Sequence, residues 1–196
     1  MIREALIAAA TRQYAEAGRA GISFSALASA VGLRKATVFH YFPTKDAVVD
    51  AVFAALGARL AERREAWFGG RPGSYARQLE RVVGELVDFY DDDPVRARVI
   101  CHGLLEARAT SGSPEPSLAA FVAAFAGFLR AGVAAGELEP GEPAGTMMAI
   151  GGVVLFEVMI PPEARRAYGR SSRSARRRAE VVAFVRRALA TEGGSA

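Results

Sequence analysis

Leu27-Ala28-Ser29-Ala30-Val31-Gly32-Leu33-Arg34-Lys35-Ala36-Thr37-Val38-Phe39-His40-Tyr41-Phe42-Pro43-Thr44-Lys45 is the stretch on which the reading of this chain turns. Two short apolar-periodic segments meet at Gly32, a residue suited to a turn. Ser23 is a good N-cap for a first short helix over 24–31. A second helix is expected from 34 or 35 to 41, where Pro43 stops it. Ala28 is small enough for the two helices to approach closely. Leu27, Val31, Leu33, Val38 and Phe42 supply the apolar faces that hold their angle. These are the ingredients of a helix-turn-helix.

The outward face of the second helix then carries Arg34, Lys35, Thr37, Phe39 and His40, a mixture of cations, a hydroxyl and rings. A helix of about eight residues is roughly 12 Å long. That matches a DNA major groove of about 12 Å. Residues 1–46 hold six cations (Arg3, Arg12, Arg19, Arg34, Lys35, Lys45) against Glu4, Glu16 and Asp46, a net of +3 on less than a quarter of the chain. This is the electrostatic footprint of a nucleic-acid-binding head.

Outward from this stretch, the 196 residues are 51% hydrophobic with a net charge of +4, enough for a real core. Leu6, Ala10 and Tyr14 form one stripe of a first helix over 2–17, with Gly18 as its stop. Thr44 can cap a helix over 45–67, and Ser74 another up to Tyr90. Further helices are expected on either side of a loop at Ser111-Gly112-Ser113-Pro114. A Pro/Gly linker runs from Glu137 to Pro143. Beyond it lie an uncharged helix over 144–159, a break at Pro161-Pro162, an Arg/Ser connector and a last helix ending near Thr191. The expected class is all-α: a three-helix head followed by a helical bundle, about nine helices in total. The domains are drawn at 1–46 and 47–196. Cys101 is the only cysteine, which excludes an intrachain disulfide and fits a reducing, cytoplasmic compartment. The uncharged run 143–156 is shorter than the roughly 20 residues of a membrane span, so no membrane partner is expected.

The segment 7–48, above all 27–45, resembles the TetR family of bacterial transcriptional regulators. The likeness lies in the Ala-Gly turn, Lys-x-Thr, the aromatic-His-Tyr-Phe end and the following Lys at fixed spacing. It implies an all-helical homodimer with an N-terminal DNA head and a C-terminal effector pocket. It further implies repression released by a small molecule. Carried over by position, Lys35 and Thr37 stand for base or phosphate contacts, and His40 and Lys45 for phosphate contacts. Tyr41 belongs to the same DNA-contacting set, and Ser23 and Ser25 stand where the family touches the DNA backbone. Three residues depart from the pattern. Arg34 replaces a capping Ser or Thr, which costs about 1 kcal/mol of cap but offers guanine a bidentate guanidinium. Phe39 replaces a Tyr, leaving packing or a methyl contact as its role. Ala36 replaces a Gly.

In the remaining two-thirds, Trp67, Phe89, His102, Glu106, Phe121, Phe125 and Met147 are the candidate lining of an effector pocket. Such pockets are mostly apolar with a few polar groups. The effector expected is a small apolar or amphipathic molecule. Cys101, His102 and Glu106 do not make a metal set, because Cys101 points about 100° away from His102 on a helix. No metal or cofactor is expected. The Gly- and Ala-rich helix over 144–159 and the last helix are the candidate dimer interface, through Gly151, Leu155, Val181, Val185 and Leu189. Dimerisation would let two heads read a palindromic double-stranded operator. The cluster Arg165, Arg166, Arg170, Arg173, Arg176, Arg177 and Arg178 reads as a solvated connector, with a second DNA contact as the alternative.

Two rival functions remain. A helical-bundle enzyme is disfavoured, since the chain has no Gly-rich phosphate loop, nucleophile elbow, convincingly spaced paired carboxylates or His/Cys metal set, and no catalytic residue is assigned. An architectural or ligand-independent DNA binder would have a collapsed C-terminal core, and a cavity of about 300 Å³ or more would argue against it.

Overall fold

Several helices begin where a side chain satisfies an otherwise free amide. Ser23 Oγ accepts from the Ala26 amide at 3.3 Å, Thr44 Oγ1 from Ala47 at 3.1 Å, and Ser74 Oγ from Arg77 at 3.4 Å. The computed structural model describes residues 1–70, 73–106, 116–139, 141–169 and 174–189. In chain order the elements are α1 (Ile2–Ala17), a 3-10 turn (Arg19–Gly21), α2 (Phe24–Ala30), α3 (Lys35–Tyr41), α4 (Lys45–Phe68), α5 (Tyr75–Asp91), α6 (Pro94–Glu106), α7 (Pro116–Ala134), α8 (Pro143–Met159), α9 (Pro162–Ala167) and α10 (Ser174–Leu189). The all-α expectation holds, with ten α-helices among the described residues. The one in excess is α9. Pro162, read as part of a break, instead opens this helix, where its missing N–H costs nothing. The loop expected at Ser111–Pro114 lies outside the described residues, as do Arg170, Arg173 and the end expected near Thr191.

The chain divides into two compact units. The first comprises Met1–Glu62 with Val95–Ala120, the second Arg63–Pro94 with Phe121–Ala196. The sequence-drawn boundary at residue 46 falls inside the first unit.

In the first unit, Leu6, Ala10 and Tyr14 of α1 are buried together with Leu27, Val38, Val48, Val52 and Leu60. Burying each Leu or Val contributes about 1.5–3 kcal/mol. Tyr14 sits edge-on to Phe53 of α4, with ring centroids 5.5 Å apart, and to His102 of α6 at 6.0 Å. Helix α6 approaches closely because Gly103 has no side chain: a Cβ there would lie 2.5 Å from the Phe53 ring.

The second unit is organised on α5, whose apolar stripe Leu79, Val82, Val83, Leu86 and Val87 is buried. This face packs against α8 and α10, which also pack on each other. Aromatic rings fill the rest. Phe68 stacks on Phe125 at 5.1 Å and lies 5.8 Å from Phe121 and 5.7 Å from Phe128. Trp67, fully buried, donates its indole N–H to Glu85, and Gln78 caps the Trp67 carbonyl at 2.7 Å. No helix among the described residues is long and apolar enough to cross a membrane.

Candidate nucleic-acid interface

The turn between α2 and α3 is closed by the backbone. The Leu33 amide donates to the Ala28 carbonyl at 2.8 Å, and the Gly32 amide to Ser29 at 3.3 Å. Gly32 has φ +69°, the left-handed conformation such a closure requires and other residues resist. Ala28 is buried against this turn, as its small size demands. Val38 and Phe42, at 0% and 2% exposure, then pin one face of α3 into the unit. The opposite face emerges. Arg34, Lys35, Ala36, Phe39 and His40 are exposed, while Thr37 and Tyr41 are half-buried. Ser23 and Ser25 of the α2 start are exposed beside it.

The cations of the head divide by what holds them. Arg19 forms a two-bonded pair with Asp46, at 2.5 and 3.1 Å. The guanidinium hydrogen bond holds the Asp46 carboxyl below its ordinary range, and the same bond raises the Arg19 pKa. Arg3 lies 5.6 Å from the Phe42 ring centroid. Lys45 donates to the Ala20 carbonyl at 3.4 Å, which ties the start of α4 to the 3-10 turn. Arg34 caps α3 by backbone alone, with no side-chain cap hydrogen bond. Its guanidinium is therefore not spent on its own helix. Ser23 is committed as the α2 cap, and its own amide donates to Gln13 Oε1 at 2.9 Å.

Phe39 is held on one side by Phe24, the first residue of α2. The two rings are nearly parallel, 5° apart, with centroids separated by 4.4 Å. Lys35, one turn earlier on α3, has its ammonium 5.8 Å from the centre of the Phe39 ring. Sequence reasoning named Phe39 and Lys35 but not Phe24. The only available signal was its position beside a cap, which does not reveal a stacking partner.

Of the seven residues expected to line a pocket, Trp67, Phe121 and Phe125 come together, in the ring cluster described above. There they are packed core, at 0%, 8% and 2% exposure. Phe89 is also buried, with Tyr90 edge-on at 5.1 Å and the Arg63 guanidinium 5.0 Å over its ring. Met147 is half-buried on α8. His102 and Glu106 do not join this cluster and belong to the first unit. Glu106 accepts from Tyr14 Oη at 2.7 Å and from the Arg19 amide at 2.7 Å. Gly18, at φ +60°, permits this: a Cβ there would stand 2.2 Å from Glu106 Oε1 and 3.0 Å from His102 Nδ1. The pocket expectation for this pair is thus corrected to a tie between α6 and α1. The second unit has a shallow cleft of about 10 Å³, lined by Leu129, Val133, Leu138, Glu139, Gly141, Pro143, Thr146 and Leu189. No group of three or more His, Cys, Asp or Glu suited to a metal occurs among the described residues.

The dimer candidates divide similarly. Val181 and Val185, at 1% and 2% exposure, are buried on the α10 side that packs within its own chain, so they are not open to a partner. Gly151, Leu155 and Leu189 are half-buried. Phe184 of the last helix, also a candidate for that interface, is 50% exposed, and so are two α8 residues that sequence reasoning reads as core, Met148 (71%) and Phe156 (65%). Their signal was there in the i, i+4 recurrence of Met148, Gly152 and Phe156 along α8. The described members of the arginine cluster divide between buried or paired residues and exposed ones. Arg165, 2% exposed, pairs with Glu157 at 2.8 Å and donates from Nε to the Ile160 carbonyl at 3.2 Å. Arg177 pairs with Asp91, and Arg178 with Asp88 at 2.9 Å. Arg176 bonds Glu180 at 3.2 Å, and Arg166 is exposed.

Comparison with known proteins agrees with this architecture. No curated protein sequence matches the chain. The solved structures that match include the transcriptional-regulator candidate SCO4942 of Streptomyces coelicolor, at 24% identity and TM-score 0.74 over 96% of this chain and 98% of that one. FadR from Bacillus subtilis, a transcriptional regulator solved with stearoyl-CoA, has 20% identity and TM-score 0.69 over 93% and 96%. AibR, solved with isovaleryl coenzyme A and operator DNA, has 15% identity and TM-score 0.74 over 94% and 98%. At these identities the likeness establishes the fold. Residues 6–52, which include the turn and the exposed face of α3, match the model of the bacterial regulatory proteins of the tetR family.

Proposed function

We propose that this protein is a sequence-specific DNA-binding transcriptional regulator that works as a homodimer and represses until a small apolar or amphipathic molecule releases it. The observation that carries the reading is the exposed face of α3. It offers a guanidinium, an ammonium, a hydroxyl, an imidazole and a ring within seven residues, on a helix whose roll is fixed by Val38 and Phe42. Bidentate cations and apolar rings are what base edges in the major groove accept. The bound acyl-CoA molecules of FadR and AibR support an effector of amphipathic chemistry. Dimerisation is supported by the apolar side chains Met148, Phe156 and Phe184, exposed on two helices that pack together. Gly151 and Leu155 lie on the same helix.

The second reading, a DNA binder that needs no effector, is favoured by the ring cluster of Trp67, Phe68, Phe121, Phe125 and Phe128, which leaves its centre filled. Selection of bound sequences from a random DNA pool, at two salt concentrations, tests the main reading. It expects a palindromic consensus and a steep fall in affinity with salt. Salt-sensitive binding without a consensus would support the architectural reading. Absence of any binding by the folded protein would overturn both.

A further inference from the structure

We infer that Phe24, Phe39 and Lys35 form one reading unit in which Phe24 is a positioning residue and the Phe39 ring recognises the 5-methyl group of a thymine. The inference rests on the DNA-binding function proposed above. Large apolar side chains around α3 are otherwise buried: Leu27 and Val38 are fully covered and Phe42 nearly so. Phe39 alone of these remains 44% exposed, on the outward face. It is not loose there. Phe24 is 9% exposed, anchored in the unit, and its ring lies parallel to that of Phe39 at 4.4 Å. One face of Phe39 is thereby occupied, and the ring cannot swing without losing the stack.

The same ring is within cation–π range of the Lys35 ammonium, at 5.8 Å. Lys35 and Phe39 are spaced i, i+4, so both point from one face of α3. A lysine on a flexible stem is a poor reader of position unless something orients it. The ring does this here, and Phe24 sets the ring. A phenyl group cannot hydrogen-bond to base edges or phosphate. In the major groove, the feature it complements is the thymine methyl, while a nearby ammonium suits guanine O6 and N7 or a phosphate.

The test replaces each thymine of the selected consensus, one at a time, by deoxyuridine, which removes only the methyl group. Wild-type protein is expected to lose about fourfold in affinity at one thymine per half-site, the worth of one buried methyl. In F39A that penalty disappears, although overall affinity also falls. F24L is expected to shrink the penalty and to weaken discrimination at the neighbouring base pair, with helicity unchanged by circular dichroism. The exposed F39A variant keeps the test decisive if F24L fails to fold. A consensus bound equally well with every thymine replaced would overturn the inference and leave the DNA-binding function standing. So would a deoxyuridine penalty undiminished in F39A. Failure to obtain any consensus would overturn the function and this inference together.

Discussion

Glu106→Ala tests the tie between α6 and the head. Tyr14 is 1% exposed, and its hydroxyl donates to Glu106 at 2.7 Å. Removing the carboxylate strands that hydroxyl in the interior, at about 1–3 kcal/mol, and removes a second charge-assisted bond from the Arg19 amide. Because Arg19 is exposed, water recovers part of the second loss, and the expected total is about 2–4 kcal/mol. Tyr14→Phe removes the donor instead and leaves a half-buried Glu106 that water can reach, so it should cost only about 1–2 kcal/mol. The double variant should cost less than the sum, by about 1–2 kcal/mol. Urea unfolding followed by circular dichroism measures all three, and Glu106→Ala alone should lower Tm by roughly 5–15 °C. The pH dependence gives an independent reading. Burial, and then the Glu106 bond, raise the Tyr14 pKa above its ordinary 10.0. A raised pKa on a neutral acid means the stabilisation is complete below about pH 10 and is lost as pH rises through that value. Tyr14→Phe should lack that alkaline loss. A Glu106→Ala cost below about 0.5 kcal/mol, with additive double-variant behaviour, would refute the reasoning.

Lys35→Ala should weaken operator binding and reduce the salt slope by about one phosphate unit if the ammonium meets the backbone, whereas an unchanged slope in a salt titration would place it on a base. Arg34→Ala should relax preference at one base pair, read by repeating the selection; uniform weakening across sequences would make it a phosphate contact. Gly151 has open space around its Cβ position, so Gly151→Leu should fold normally yet raise the dimer dissociation constant in ultracentrifugation, and an unaffected dimer would move the interface elsewhere. Glu157→Ala leaves the buried Arg165 guanidinium without its carboxylate and should cost about 3–5 kcal/mol in urea unfolding; a change under 1 kcal/mol would show that the pair opens to water.

What could be read in the chain beforehand was local. Ser23, Thr44 and Ser74 cap the helices they were expected to cap, because an N-cap bond spans only three residues. Gly32 and the burial of Val38 and Phe42 follow from the helix-turn-helix pattern in the same way. Where the reading failed, the deciding partner was far away. Arg178 looks like part of a charge run until Asp88, 90 residues earlier, is brought to it. Glu106 looks like a pocket carboxylate until Tyr14, 92 residues earlier, meets it. On α10, the apolar positions were recognised but the inner and outer ones were not distinguished. That sorting depends on where α5 lies, since α5 covers one side of α10 and leaves Phe184 out. Phe24 and Phe39 stack across two helices, and no single-helix period announces the pair.

The tryptophan among the rings of the second unit is the only one in the chain. Its intrinsic fluorescence therefore reports on one unit alone. Trp67 is fully enclosed and has a carboxylate at its indole nitrogen and phenyl rings around it. Its emission is expected to be that of an apolar site, and a molecule that parts the rings should change its colour or intensity without a label. Because α4 begins in the first unit and carries Trp67 in the second, heating one unmodified sample while following this light beside the helical signal tests whether the two units melt together or apart.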